Sequence, residues 1–189
     1  MADLKELVQQ FGQDGLLLAI VLRPGRERPA VHVPSAQAIE GRGLAGDRSA
    51  AADPAGLGVS KRQVTLMQAE HLPLIAAWSG HEAVSATVLR RNLVVSGINL
   101  WAARSPFPDQ AMRLLVGPTV ELVVTGPCSP CSKMEIALGR GGYNALRGHG
   151  GMTAQVRRGG LVRVGDRVRI AIDRGQRNEP ERAESLPDS

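Results

Sequence analysis

Two thiols are the side chains best equipped for chemistry. Cys128 and Cys131 are the only cysteines in the chain, separated by two residues in Gly126-Pro127-Cys128-Ser129-Pro130-Cys131-Ser132-Lys133. Such a pair builds no disulfide framework, so its sulfur reads as chemical rather than architectural. The surrounding stretch ELVVTGPCSPCSKMEIALG reads as a strand, a turn and a helix start, with both thiols at the junction. Free backbone N–H groups and the positive end of a helix dipole stabilise thiolate over thiol there, and Lys133 adds to that effect. A thiolate is a nucleophile and a soft metal ligand.

The residues alone leave four readings open. A thioredoxin-like redox pair has this local signature, yet the residues after it are glycine-rich hairpins and a polar tail rather than the strands and closing helix that such a fold needs. A structural zinc site needs four ligands, and His32, His71, His81 and His149 show no paired spacing. Two ordinary buried cysteines would sit among core residues, whereas Pro127, Ser129 and Pro130 are turn residues. The fourth reading is a soft metal carried by an anionic organic cofactor. It needs arginines for phosphate, glycine-rich backbone donors and a polar neighbour for the thiolate. Arg90, Asn92, Ser129 and the 41–48 loop with Arg42 and Arg48 supply these.

The elements that must position these groups are mostly strands. Residues 3–12 read as a short amphipathic helix, Leu16–Leu22 as a buried strand closed by Arg23-Pro24-Gly25, and the alternation at 31–39 as further strand. GRGLAGD, 41–47, carries three glycines and reads as a tight loop. Its Asp47 is expected to fix the turn or pair with Arg48. A polar connection runs to Lys61. The next stretch, QVTLMQAEHLPLIAAW, suggests a strand leading into a helix broken near Pro73. LRRNLVVSGINL gives a buried strand after two arginines; with both arginines on the strand, Arg91 would point away from Arg90 into solvent. MRLLVGPTVELVVTG gives two strands joined at Gly117-Pro118, and 152–172 gives two or three more, with Gly165-Asp166 as a hairpin turn. Short strands, glycine turns and a few short helices predict a mainly β fold, a closed or half-closed β-barrel.

Composition bounds the rest. With 189 residues and 43% hydrophobic content, the chain fits one domain over 1–172, followed by a polar, disordered tail over 173–189. That tail holds three arginines against five acids, so residues 1–172 carry +7 within a whole-chain net of +5. Most of the positive charge is arginine, suited to an anionic ligand. The arginines are scattered and only five Phe, Trp and Tyr are present, which argues against nucleic acid. The longest apolar run, Leu16–Leu22, is far short of the roughly 20 residues of a membrane span. The N-terminus lacks a secretion-signal pattern, so a cytoplasmic location without membrane contact is expected.

Four blocks, in this order and spacing, resemble the MOSC domain family and within it a stand-alone bacterial YiiM-like branch: GRGLAGD (41–47), LRRNLVVSG (89–97), GPCSPCSKME (126–135) and RGHGGMTAQVRRGGLVRVGD (147–166). The resemblance covers about Leu17 to Ile172. It implies a β-barrel that binds the molybdenum cofactor, a molybdopterin, with a cysteine as molybdenum ligand or as sulfur carrier. It also implies reduction of N-hydroxylated bases and amidoximes by a molybdenum-dependent oxidoreductase, fed by a partner flavoprotein or iron–sulfur protein. Arg90 and Asn92 match an Arg-x-Asn cofactor contact, and Ser129 and Cys131 a Ser-x-Cys contact, which makes Cys131 the implied ligand and catalytic residue. Cys128 is then a resolving thiol or a passive neighbour.

Arg48 and the loop glycines Gly43 and Gly46 would grip the phosphate by charge and backbone donors, although the glycines serve a tight turn equally well. His149 would donate to substrate or phosphate, or hold its turn. The resemblance brings no haem, flavin or iron–sulfur cluster to this chain, which has no ferredoxin-type cysteine cluster. Larger relatives carry an additional N-terminal segment that contributes cofactor contacts, and the helix at 3–12 is too short to be one. Part of the grip must come from elsewhere, a second copy in a homodimer being the candidate. A non-enzymatic carrier of persulfide sulfur or of mature cofactor remains the alternative function, with a zinc or dithiol redox module as a third.

Overall fold

The computed structural model describes residues 3–51 and 60–172; the predicted tail at 173–189 and most of the connection before Lys61 lie outside them. Among the described residues eleven strands follow one another as β1 (Gly15–Leu22), β2 (Val31–Val33), β3 (Ser35–Ile39), β4 (Gly43–Leu44), β5 (Val64–Gln68), β6 (Leu93–Ser96), β7 (Met112–Val116), β8 (Val120–Pro127), β9 (Met152–Arg158), β10 (Gly160–Arg163) and β11 (Arg167–Ile172). Six short helices punctuate them: α1 (Leu4–Leu7), α2 (Arg48–Ala51), α3 (His71–Ser79), α4 (Ala86–Leu89), α5 (Ser132–Leu138) and α6 (Gly142–Ala145).

Seven strands close into a barrel in the order β11, β7, β8, β9, β5, β6, β1, with β1 returning to β11 through Gly15 opposite Val168 and Leu16 opposite Arg167. Closure removes the free edges that an open sheet would expose. Every pairing is antiparallel except β5 with β6, the pair that α3 and α4 separate in sequence. That exception follows from burial pattern. β7 and β8 alternate buried and half-buried residues, the mark of strands with one face on the core and the other toward water. β5 and β6 are buried on both faces. Leu66, Leu93 and Val95 fill the barrel, while Met67 and Val94 turn outward against Ile75, Leu89, Met134, Leu138 and Leu146 from the helical side.

The structure corrects several local expectations. The first helix is only four residues long. Pro73 does not break α3; it lies in the first turn, where its missing N–H costs nothing. Gly165-Asp166 does not join a hairpin. β10 pairs with β3 in a separate three-stranded sheet while β11 belongs to the barrel, so this turn carries the chain from one sheet to the other. Near the cysteines, the β8–β9 register shifts between Val124 and Gly126. A bulge of this kind bends its strand and re-aims the chain beyond it, here the turn that carries both thiols.

Candidate functional site

The thiol turn opens onto a cavity of about 590 Å³. Five arginines line it: Arg23 and Arg26 after β1, Arg48 at α2, Arg62 before β5, and Arg91 before β6. Cys128, Ser129 and Cys131 form another wall, and the hydroxyls of Ser49, Thr65 and Thr153 complete it. Cys131 is the N-cap residue of α5 and is exposed, whereas Cys128 is half-buried and its N–H donates to the carbonyl of Gly151 at 2.8 Å. Soft sulfur, cationic forks and neutral hydroxyls thus face one space.

Arg91 is placed by a local device. Ser85 caps α4 by accepting from the N–H of Val88, and the helix ends at Arg90 in the left-handed region at φ 56°, the only non-glycine residue there among the described residues. This ending keeps both arginines off the strand and sends them apart. Arg91 is 7% exposed, and its Nε donates to the carbonyl of Gly150 at 2.7 Å. The expectation of a solvated Arg91 is therefore overturned. Burial pushes its pKa below the ordinary arginine value; the neighbouring Cys128 works against this, and the nearby Arg23 guanidinium adds to it. Arg90 instead donates to the carbonyls of Gly25 and Arg28 at 2.8 and 3.0 Å, fastening the loop after β1.

Beneath the cavity lies a buried polar knot. Asp47, 1% exposed, accepts from Nε, Nη2 and the backbone N–H of Arg23, each at 2.9 Å. It also accepts from the hydroxyl and N–H of Ser49 and from Nδ2 of Asn92. Burial works to raise its pKa, but the Arg23 and Ser49 hydrogen bonds outweigh it and hold the carboxyl well below the usual carboxylate range. Asp47 does fix its turn, with Arg23 rather than Arg48 as the ionic partner. Asn92 spends its side chain inside this knot, donating to Val21 and Asp47 and accepting from Thr65.

The structure thus brings Cys128, Ser129, Cys131 and Arg48 together at the cavity, and places Arg90 and Asn92 behind its wall. Gly46 lines a smaller neighbouring cavity of about 260 Å³ together with Arg48. Gly43 sits at φ 127°, where an added Cβ would lie 2.7 Å from the carbonyl oxygen of Gln63. His149 makes edge contacts with His71 and Trp78, both at 4.9 Å between centroids. Sequence reasoning missed Arg23, Arg26, Arg62 and Arg91. For Arg91 a signal existed in Ser85, a good N-cap whose helix would end before the strand.

A second cavity, also about 260 Å³, lies on the other side of the thiol turn and shares Cys128 and Ser129 with the first. Trp101, Tyr143, Arg147 and the glycines 148, 150 and 151 bound it. No helix among the described residues is long and apolar enough to cross a membrane.

Among known proteins, the sequence model of the MOSC domain matches residues 51–169, which contain three of the four sequence blocks and leave GRGLAGD outside. The search of curated proteins returns no match. The YUAD protein of Bacillus subtilis superposes with a TM-score of 0.67 at 18% identity, covering 84% of this chain and 96% of its own. YiiM of Geobacillus stearothermophilus gives 0.60 at 14% identity over 83% of this chain and 75% of its own, and YiiM of Escherichia coli gives 0.56 at 17% over 82% and 69%. At these identities the likeness is one of fold.

Proposed function

This chain belongs to the MOSC domain family, and from that premise we propose that its arginine-lined cavity binds the molybdenum cofactor through Cys131 and that the protein reduces N-hydroxylated compounds. One observation carries the reading: two thiols and five arginines from separate parts of the chain line a single cavity of about 590 Å³. Its volume is within the range of ordinary cofactor sites, roughly 300–1,000 Å³.

The donor set fits the group. Arginine forks pair with phosphate through two parallel hydrogen bonds, and a cysteine sulfur is a soft ligand suited to a metal already held by other sulfurs. Among the described residues no three His, Cys, Asp or Glu side chains are grouped to hold a metal ion. A metal here must therefore bring most of its ligands on its own cofactor. Arg26, Arg48 and Arg62 would grip the anionic end, and Cys131 would bind the metal. Arg91, fixed by Gly150, would keep a positive charge beside the sulfurs. When bound, the cofactor supplies two-electron oxygen-atom chemistry.

The overall reaction balances as one N-hydroxylated amine plus two electrons and two protons giving the amine and water. The N–O bond breaks, nitrogen is reduced, and a reduced flavoprotein or iron–sulfur protein is oxidised. A separate donor is required because two cysteines are too few for a cluster of this chain's own. The exposure of Cys131 favours a second reading, in which its sulfur is carried as a persulfide to another protein.

The test is molybdenum and pterin content after anaerobic purification from cells that make the cofactor. Wild type should carry near-equal amounts of both, Cys131→Ala should lose them, and Cys128→Ala should keep them. Zinc or no metal in wild type would overturn the reading. Oxidation of reduced viologen by an N-hydroxylated base then separates a reductase, which turns over, from a carrier, which does not.

A further inference from the structure

The loop at 147–151 holds two parts of the thiol site at once. The carbonyl of Gly150 accepts from Nε of Arg91 at 2.7 Å, and the carbonyl of Gly151 accepts from the N–H of Cys128 at 2.8 Å. Positions 148, 150 and 151 are glycines, so His149 alone gives the centre of this loop a side chain to pack with. Its ring meets His71 and Trp78 of α3 edge-on, each at 4.9 Å between centroids. His71 is half-buried, and its Nδ1 is a buried nitrogen without a hydrogen-bond partner. A neutral imidazole tolerates that position. An imidazolium carries N–H on both nitrogens, and a buried N–H of a cation without an acceptor is costly. Burial, and then the neighbouring His149, accordingly push the His71 pKa below the ordinary histidine value, against smaller opposing pulls from the His149 backbone and Glu70. The other charged groups on the surrounding elements are already engaged or add positive charge. Glu70 accepts from the N–H of Gly97, Glu135 of α5 accepts from the N–H groups of Gly141 and Tyr143, and His81 bonds the carbonyl of Leu138. β5 carries no charged residue, and Arg147 places a cation at the start of the loop.

We propose that the His71–His149 contact is a pH-sensitive latch on this loop, closed while both rings are neutral and opened when acid charges them, so that Arg91 and Cys128 are released together. Opening lets Nδ1 of His71 reach water and separates two rings that would otherwise carry like charge at close range. The sign follows from the lowered pKa. The open form takes up its proton first as pH falls, so the latch is complete above the ordinary histidine value of 6.5 and is lost progressively below it. Asp47, held below the ordinary 3.8, titrates outside this window. The latch acts through the chain's own bonds and needs neither molybdenum nor substrate, so it stands or falls separately from the cofactor reading.

Amide hydrogen exchange of the full chain, corrected for the intrinsic pH dependence of exchange, reads the latch at the N–H of Cys128. From about pH 7.5 to about pH 5.5 its protection should fall about tenfold in wild type, the order expected of one like-charge contact near a surface. The N–H of Asn92, bonded to the carbonyl of Thr65 inside the barrel, should keep its protection. His71→Phe leaves a flat ring against His149 and Trp78 that acid cannot charge, and its Cys128 protection should stay within about twofold over the same range. A second measurement on wild type decides the matter even where that variant fails to fold: the titration of the His71 ring protons, followed by NMR, should share its midpoint with the loss of Cys128 protection. Unchanged protection in wild type, a parallel fall at Asn92, an equal fall in His71→Phe, or midpoints more than about one pH unit apart would overturn the latch.

Discussion

At the scale of single residues, the site depends on where one carboxylate is placed. Asp47 neutralises Arg23, orders Ser49 and receives Asn92, so three side chains around the cavity take their positions from it. Asp47→Asn keeps the shape and removes the charge, leaving Arg23 as an uncompensated cation that is only 8% exposed. Breaking one side of a buried pair costs about 3–5 kcal/mol, so urea unfolding at pH 7 should show a loss of that order. A loss below about 1 kcal/mol would mean that the knot is not holding the loop. The pH dependence has a definite sign. The folded pKa lies below the ordinary 3.8, so the unfolded chain takes up the proton first as pH falls. Asp47's contribution is complete above about pH 4 and is lost progressively below it, while the Asn variant lacks this slope. The same knot shows partners of Asn92 that the sequence does not reveal. An Arg-Arg-Asn run gives no sign of which polar group a distant Asp will claim.

At the scale of elements, glycines set how closely segments approach. Gly151 precedes β9 at φ +89°, and an added Cβ would lie 2.0 Å from the carbonyl oxygen of Leu66 in β5. Gly148, three residues earlier, is at φ +78° with nothing within 4 Å of such a Cβ. Both alanine variants suffer the left-handed backbone penalty of roughly 1–2 kcal/mol, and only Gly151→Ala adds a collision, worth about 1–3 kcal/mol more. Chemical denaturation should rank them in that order; equal losses would show that the backbone conformation, and not the close approach, requires the glycine. Strands were the legible elements. Alternation marked β7 and β8, and glycine turns separated β9, β10 and β11, because one-sided burial writes itself into sequence with period two. What stayed hidden was nonlocal. That β10 leaves the barrel to pair with β3 is a fact about a partner more than a hundred residues away, and the turn at Gly165-Asp166 looks the same either way.

At the scale of the whole molecule, barrel closure gathers charge that the sequence scatters. Arg23, Arg26, Arg48, Arg62 and Arg91 span some seventy positions and meet at one cavity. The cysteines were visible as a pair, but the cavity's electrostatics became visible only with the fold. Only Arg23 among these five has an ionic partner at hydrogen-bond distance among the described residues. Like charges held together cost folding free energy, and an anion that binds there relieves the cost in the folded state alone. Pyrophosphate, a compact polyanion without pterin or metal, is therefore expected to raise the melting temperature saturably, by a free energy that reaches about 2.7 kcal/mol at a hundredfold excess over Kd. Raising the ionic strength to about 0.5 M should weaken this, because the cavity is open to solvent and its charges are screened. The double variant Arg48→Gln/Arg62→Gln removes two of the five cations without touching the Asp47 knot, and it should lose most of the stabilisation. If pyrophosphate raises the melting temperature of the double variant as much as that of wild type, the anion acts through general exclusion from the protein surface. The arginines would then hold no phosphate, and the cofactor reading would lose its electrostatic support.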